Sequence, residues 1–495
     1  MATEAEGVFI IYTGGTIGSM PQDLNDPLSP LVPYPLDKVM ERLPAYDIAD
    51  KKIALSGHWV RLSTYSWKDP LDSSNMTSKD WVQIAEVIKE NYDKYEGFVV
   101  LQGTDTLAYT SSALAFMLDN LSKPVVITGS QTPIGETRSD AVQNLISAIE
   151  VAAAKSLGRR VIPEVCVFFH DKVMRGCRTT KLSASDYDAF YSPNYPPLAK
   201  AGADIVISNQ AVIREPSRQT LNVRLKLEDN IASLDIFPGM SHELLKNILM
   251  TNGLRGVVLQ TFGSGNAPTT GPFLNTIGEA IENGRVIVDV TQCRSGTVEL
   301  GLYDVSAGLL ERGVVSGMDM TPDAALTKLA VILGQEQDVE IARDLMQLDI
   351  RGEQQQSIFN LHYSGGSLDY DKKIVLEPSR SMTDSQRYDM DKLDQALFRL
   401  MGLELTDGRK GRIELKAYID LPDADENTKE DGNPHFLGRA IKRYNSEEGT
   451  VGMFLRMDQQ ARDFIDPRYP KSITLVNMGA PFKWSKVNIA LYVDS

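Results

Sequence analysis

"FIIYTGGTIGSM", Phe9 to Met20, is the stretch on which the fold turns. An apolar, β-branched-rich run breaks off into Thr-Gly-Gly-Thr. Glycine permits a sharp turn and leaves room for another group to approach the backbone. The pair is therefore either a tight turn or an opening through which a substrate reaches Thr16. The same grammar recurs downstream. "GFVVLQ" runs into "GTDT", "KPVVIT" into "GSQTP", and "EVCVFFH" on towards "RGCRTTK". Short, nearly continuous apolar runs of this kind are expected of parallel strands covered on both faces. Between them lie helical patterns. Leu107, Leu114, Met117, Leu118 and Leu121 share one face, and Val142, Leu145, Ile146 and Ile149 share another. Alternating strand and helix predicts a parallel sheet flanked by helices, with ligands beyond the carboxyl ends of its strands. The Gly-Thr and Gly-Ser turns fall at those ends.

A second α/β block is expected from about Arg224. Its strands, "LRGVVLQTF" and "GRVIVDVTQ", end at "GSGNAP" and "CRSGT", and "TPDAALTKLAVILGQ" reads as its closing helix. The stretch "GADIVISNQAVIREPSRQTLN" lacks helical periodicity and reads as a connection. From about Gln354 the pattern changes: "GRIELKAYID", "SITLVNMG" and "KVNIALYVDS" alternate apolar with polar residues, as half-exposed antiparallel strands do. "MDKLDQALFRLMGL" reads as one helix at the entry to this region, and "DLPDADENTKEDGNPH" as a solvated acidic loop. The expected fold class is α/β: two parallel-sheet α/β domains followed by a mainly β domain of sandwich type. The expected boundaries are 1–205, a linker at 206–223, 224–355 and 356–495.

The chain has 495 residues, 24% of them charged, and a formal net charge of -15. An acidic surface argues against nucleic acid or an anionic membrane as partner, because both need cationic patches. Three cysteines, Cys166, Cys177 and Cys293, provide neither a disulfide framework nor zinc-ligand spacing. No stretch approaches the roughly 20 apolar residues of a membrane span. The first residues, "MATEAEGVFIIYTGG", are acidic and their apolar run is too short for a signal peptide. The expected compartment is cytoplasmic. No metal site and no organic cofactor are expected: "GGTIG" is not G-x-G-x-x-G, no P-loop or G-x-S-x-G occurs, and "SHELLK" lacks the second histidine of a metalloprotease helix.

Thr16, Thr104, Asp105, Ser73 and Lys181 remain. Singly, such residues are usually turn formers, helix caps and surface lysines. Thr16 and Thr104, however, end strands of one sheet. A threonine hydroxyl becomes a nucleophile once a neighbour takes its proton. A lysine can serve if its pKa falls from about 10.4 towards 7–8, and backbone N–H groups of glycine turns can hold the oxyanion. The pattern suits acyl transfer.

Together, "TGGTIG", "DSSNM", "GTDTLAYTSSAL" and "RTTK" resemble the bacterial-type L-asparaginase family. "DAFYSPNYPPLA" and "GSGNAP" point to its cytosolic (type I) branch, over about Val8 to Glu353. The resemblance implies hydrolysis of L-asparagine to L-aspartate and ammonia through a covalent ester on threonine, without metal or cofactor. Thr16 would be the nucleophile, with Thr104 and Lys181 as the second catalytic pair and Asp105 beside them. Ser73, Ser74 and Asp105 would hold the substrate, with Gly15 and Gly103 lining its place. Asn266 would reach into a neighbouring subunit's site, in a homodimer or homotetramer. Three positions depart from the family pattern. Gln102 stands where histidine usually precedes Gly-Thr-Asp-Thr. The proline-rich lid (Pro21, Pro27, Pro30, Pro33, Pro35), expected to be an irregular loop, has no tyrosine before Tyr34. Gln260 replaces an arginine found at an allosteric site in some cytosolic members. Two rival readings stay open: a deamidase of peptide-borne or conjugated asparagine or glutamine, and a non-catalytic asparagine or aspartate sensor. The C-terminal region resembles no family.

Overall fold

The computed structural model describes residues 7–494, apart from 24, 27, 56, 157–158, 214–219, 302–303, 381–392, 409, 447–450, 458–464 and 466–470. The chain divides into two compact units. The first holds 1–229, 320–335 and 350–353; the second holds 230–319, 336–349 and 354–495.

The first unit is built on one ten-stranded mixed sheet. Its centre is parallel: β1 (Val8–Gly14), β2 (His58–Leu71), β3 (Gly97–Leu101), β4 (Val125–Thr128) and β5 (Val165–Phe169) lie in the order 2-1-3-4-5. β1, β3, β4 and β5 are buried along their whole length. This explains their unbroken apolar runs, because a strand covered on both faces has no polar side to alternate with. Antiparallel strands flank this centre. On one side come Lys172–Arg175, Ala199–Ala201 and Ile205–Ile207; on the other, Lys52–Leu55 and Tyr46–Asp47. Part of the stretch expected to be a plain connection is thus an edge strand.

Helix α1 (Leu107–Met117) is buried on every side except at Tyr109. The Ser111 and Ser112 hydroxyls both donate to the Gly176 carbonyl, which allows a helix so enclosed to satisfy its polar groups. Its neighbour α2 (Ala141–Ala153) shows the one-sided pattern expected of a surface helix, with Leu145 and Ile149 inward. Helix α3 (Pro322–Gln335) belongs to this first unit and not to the second block, where its sequence position suggested; Ala324 and Val331 pack into the core cluster of Leu107 and Leu114. On α3, Lys328 pairs with Glu353 at 2.6 Å, both side chains fully buried.

The lid is more ordered than an irregular loop. Ser19–Pro21 and Leu31–Pro33 form a short antiparallel pair, and Tyr34 packs against the core at its base.

In the second unit, four parallel strands include β6 (Gly256–Thr261) and β7 (Val286–Thr291) at the centre. Helix α4 (Val339–Met346) follows. Beyond it come two antiparallel sheets of seven and four strands that share one core, a β-sandwich. The first sheet contains β8 (Gln356–Tyr363), β9 (Leu393–Leu405) and β11 (Lys486–Asp494); the second contains β10 (Lys410–Ile419). The helix expected over "MDKLDQALFRLMGL" is instead β9 from Leu393 onward, and its first residues lie outside the described ones. β9 pairs with β11 on one side and with Val451–Arg456 on the other. Phe398 and Leu400 face the sandwich core, while Leu397 enters a second apolar cluster with Ile358 and Tyr492. Apolar residues on both faces erased the period-2 signal. β10 and β11 are likewise mostly buried, not half-exposed.

Candidate active site

The 2-1-3-4-5 strand order reverses direction between β1 and β3, the place where doubly wound sheets open a crevice for ligands. Here the turns after β1, β2 and β3 touch backbone to backbone. Gly15, at φ +87°, donates its N–H to the Leu71 carbonyl at 3.0 Å. A Cβ added to it would lie 2.2 Å from the Gly103 nitrogen, and one on Gly103 would lie 2.6 Å from the Ser73 Oγ. No side chain fits in either contact, so glycine is a steric requirement at both positions. Thr16 opens the single 3-10 turn Thr16–Gly18 just past this contact and is half-buried.

On the same rim, the Lys181 ammonium donates to the Thr104 hydroxyl at 2.8 Å and to the Asp105 carboxylate at 2.6 Å. Lys181 comes from a two-residue strand pairing with Phe190–Tyr191, 77 positions after Thr104. Its side chain is 19% exposed against 65% for Asp105, so the ion pair faces solvent on the carboxylate side. With Lys181 donating, the Thr104 proton must point elsewhere, and it finds Gln131 Oε1 at 3.4 Å. Gln131 is itself held by its Nε2 donating to the Asp186 carbonyl at 3.0 Å. Its backbone N–H donates to the Asp140 carboxylate, which also accepts from Thr132 and Asn144. Neither Gln131 nor Asp140 was among the expected site residues. The only sequence signal for Gln131 is its place in "GSQTP" at the end of β4.

Ser73 is buried, and its carbonyl accepts from Thr106 Oγ1 at 2.9 Å. Ser74 is exposed, its hydroxyl and N–H both donating to Asp72 at 2.7 and 2.9 Å. These two bonds, the hydroxyl's first, hold the Asp72 carboxyl below its ordinary value. Gln102 is fully buried, and its amide nitrogen donates to Thr106 Oγ1 at 3.2 Å. It braces the Gly103–Thr106 turn from behind. Asn266 belongs to the second unit, on a turn closed by reciprocal bonds between Phe262 and Asn266 at 3.0 and 2.8 Å. The first unit therefore gathers Gly15, Ser73, Gly103, Thr104, Asp105 and Lys181 beside the Thr16 turn, and Asn266 belongs to the second unit. Gln260, also in the second unit, donates to Ser233 Oγ at 3.0 Å.

A hydroxyl at the head of β1, with a hydroxyl–ammonium–carboxylate row at the head of β3, marks the class of amide- and ester-cleaving enzymes that work through a side-chain oxygen. Residues 7–213 match the family described as Asparaginase, N-terminal, and residues 230–346 the Glutaminase/Asparaginase C-terminal domain. The chain belongs to the asparaginase family. It is similar to L-asparaginase 1 of Escherichia coli (strain K12), 39% identical over 355 residues, 71% of this chain and 98% of the relative. It is also similar to the 60 kDa lysophospholipase of Mus musculus, 40% identical over 361 residues, 72% of this chain and 61% of the relative. Among solved structures, L-asparaginase I from Vibrio cholerae aligns with a TM-score of 0.62 at 39% identity, covering 71% of this chain and 99% of its own.

Proposed function

We propose that the chain is a cytoplasmic amidohydrolase that converts L-asparagine to L-aspartate and ammonia through an ester on Thr16. The observation that carries this reading is Lys181 bridging Thr104 and Asp105 where the Thr16 turn packs against Gly103. The names of its relatives support the substrate. In acylation, Thr16 Oγ attacks the side-chain amide carbon, the C–N bond breaks, and the Thr16 proton leaves with ammonia. In deacylation, water attacks the ester carbon, Thr16 recovers its oxygen and a proton, and aspartate departs. The Thr104–Lys181 pair accepts and returns the proton when Lys181 is in its neutral form. Backbone N–H groups of the glycine turns are suited to the oxyanion. Ser73 and Asp105 hold the α-carboxylate and α-ammonium, with Ser74 at the rim. Asn266 is lent by a second copy, so the working unit is at least a dimer.

The sensor reading drew on Gln102 and on the missing lid tyrosine. The Gln102 side chain is buried and donates to Thr106 Oγ1 at 3.2 Å. No contact in the site favours a peptide substrate over the free amino acid. The test is ammonia release from L-asparagine beside a Thr16→Ala control. Release by the wild type that is lost in the variant is expected; a folded wild-type chain releasing none would overturn the reading.

A further inference from the structure

Beneath the turn that carries Asn266 lies a carboxyl group the reaction does not use. Asp289, on β7, is 0% exposed. Its Oδ1 accepts from the Thr261 hydroxyl at 2.7 Å, and its Oδ2 is buried with no hydrogen-bond partner. Gly265, at φ +105°, sits directly on that free oxygen: an added Cβ would lie 3.1 Å from Oδ2, 2.9 Å from Val298 Cγ1 and 3.3 Å from Leu300 Cδ2. The turn is pinned above by Gly265 N–H to Phe262 O at 3.2 Å and Glu299 N–H to Ser264 O at 3.0 Å. The Asn266 side-chain oxygen is also buried without a partner.

The groups around Asp289 are Thr261 from β6, Val298 and Leu300 from the segment after β7, Ser316 opposite in the sheet, and Gly265 above. The charged or titratable groups on these elements are Cys293, Arg294 and Glu299, all exposed, and Asp319, whose Oδ1 accepts from the Gln355 N–H at 2.9 Å; α4, which also packs against β7, adds Glu340, Arg343 and Asp344. No described residue forms an ion pair with Asp289. An ionised carboxylate in such a place would cost several kcal/mol uncompensated, so the folded chain holds it as the neutral acid.

We infer that Asp289 is a positioning residue for the Asn266 turn, seating it as a neutral acid and releasing it on ionisation. The inference rests on Asn266 serving a partner's site. Burial first pushes the Asp289 carboxyl up to about 8, and the Thr261 hydroxyl partly offsets this. In the unfolded chain the carboxyl has its ordinary value of 3.8. The folded state therefore holds the extra proton between those values. This group's contribution to stability is present at low pH and is lost as pH rises through about 8. Above that pH a charge lies under the Gly265 backbone with one donor to satisfy it.

The experiment compares the full-length wild type with Asp289→Asn, which cannot ionise, and with Thr261→Val, which removes the one donor. Amide hydrogen exchange at Gly265 and Asn266 is read at pH 6 and pH 9. At pH 6, part-way through the window from 3.8 to about 8, the wild type should exchange faster than Asp289→Asn by a smaller factor than at pH 9. At pH 9 the wild type should exchange at least tenfold faster than Asp289→Asn. Thr261→Val should shift the wild-type transition to higher pH, and this keeps the test open if Asp289→Asn does not fold. The same alkaline limb should appear in wild-type kcat/KM for asparagine and be absent from Asp289→Asn. An exchange ratio unchanged between the two pH values overturns the inference, whatever ammonia release shows. A tenfold change in exchange, with Asn266→Ala leaving ammonia release intact, upholds the positioning role and removes Asn266 from the proposed active site.

Discussion

The parallel sheet of the first unit and the C-terminal sandwich of the second place their polar side chains differently. In the first, β1, β3, β4 and β5 are buried along their whole length, and hydroxyls, amides and charges gather where the central strands stop: Thr16, Ser73, Thr104, Asp105 and Gln131. In the sandwich, polar groups sit in mid-strand and are buried there. Arg399 on β9 donates to Tyr492 at 2.7 Å, and Asn488 on β11 donates to Asn360 at 2.7 Å, which donates to Asp344 on α4 at 2.9 Å. Lys416 on β10 pairs with Glu430 at 2.9 Å, and Glu414 binds both Arg412 and Arg439. Polar groups at strand ends can face a ligand, and their loss costs the fold little. Polar groups in mid-strand bond to one another, and their loss costs the fold directly.

The sharpest test is at the rim. Lys181→Met should cut ammonia release about 10²–10⁴-fold, the usual contribution of a proton-transferring group, with the melting temperature nearly unchanged. Equal losses of activity and stability would break the comparison. Lys328, like Arg175 paired with Glu164, is a buried charge inside the first unit. Lys328→Met leaves Glu353 charged and buried, and should destabilise the chain by about 3–5 kcal/mol in a urea melt. The double variant Lys328→Met/Glu353→Gln should recover a large part of that. In the sandwich, Asn488→Leu strands the Asn360 carbonyl and should cost about 1–3 kcal/mol while kcat stays within twofold. The smallest effect is expected at Gln131. Gln131→Met removes the acceptor for the Thr104 proton and should lower kcat about tenfold, or about 1.4 kcal/mol, with little change in KM.

The contrast also explains what could be read in advance. Apolar runs ending in Gly-Gly-Thr-Ile, Gly-Thr-Asp-Thr and Gly-Ser-Gln-Thr gave away the parallel strands, because burial on both faces and a glycine turn each leave a residue-level mark. Thr104, Asp105 and Lys181 were singled out through the resemblance of "GTDTLAYTSSAL" and "RTTK" to a known family, and the structure brings the three into contact. Gln131 was not: a glutamine has no chemical signature, and only the 3.4 Å contact to Thr104 singles it out. Gln102 was noticed as a departure, but its burial behind the turn is a tertiary fact. In the sandwich, Leu393, Leu397 and Leu400 mimicked a helical stripe because β9 buries both faces. The buried Asn488 and Lys416 mimicked a solvated face. Helix α3 was read correctly as a helix, but its allegiance to the first unit lies in its packing against α1 and in the Lys328–Glu353 pair, which no local pattern records.

The flanks of the ten-stranded sheet bear on solubility. Its outermost strands, Tyr46–Asp47 and Ile205–Ile207, are two and three residues long. An open sheet edge offers unpaired N–H and C=O groups to any passing strand, and a long flat edge invites stacking between molecules. By tapering a five-strand parallel centre into short antiparallel ends, the chain leaves too little free edge to template another copy. Lengthening either outer strand should therefore promote aggregation before it disturbs the crevice between β1 and β3.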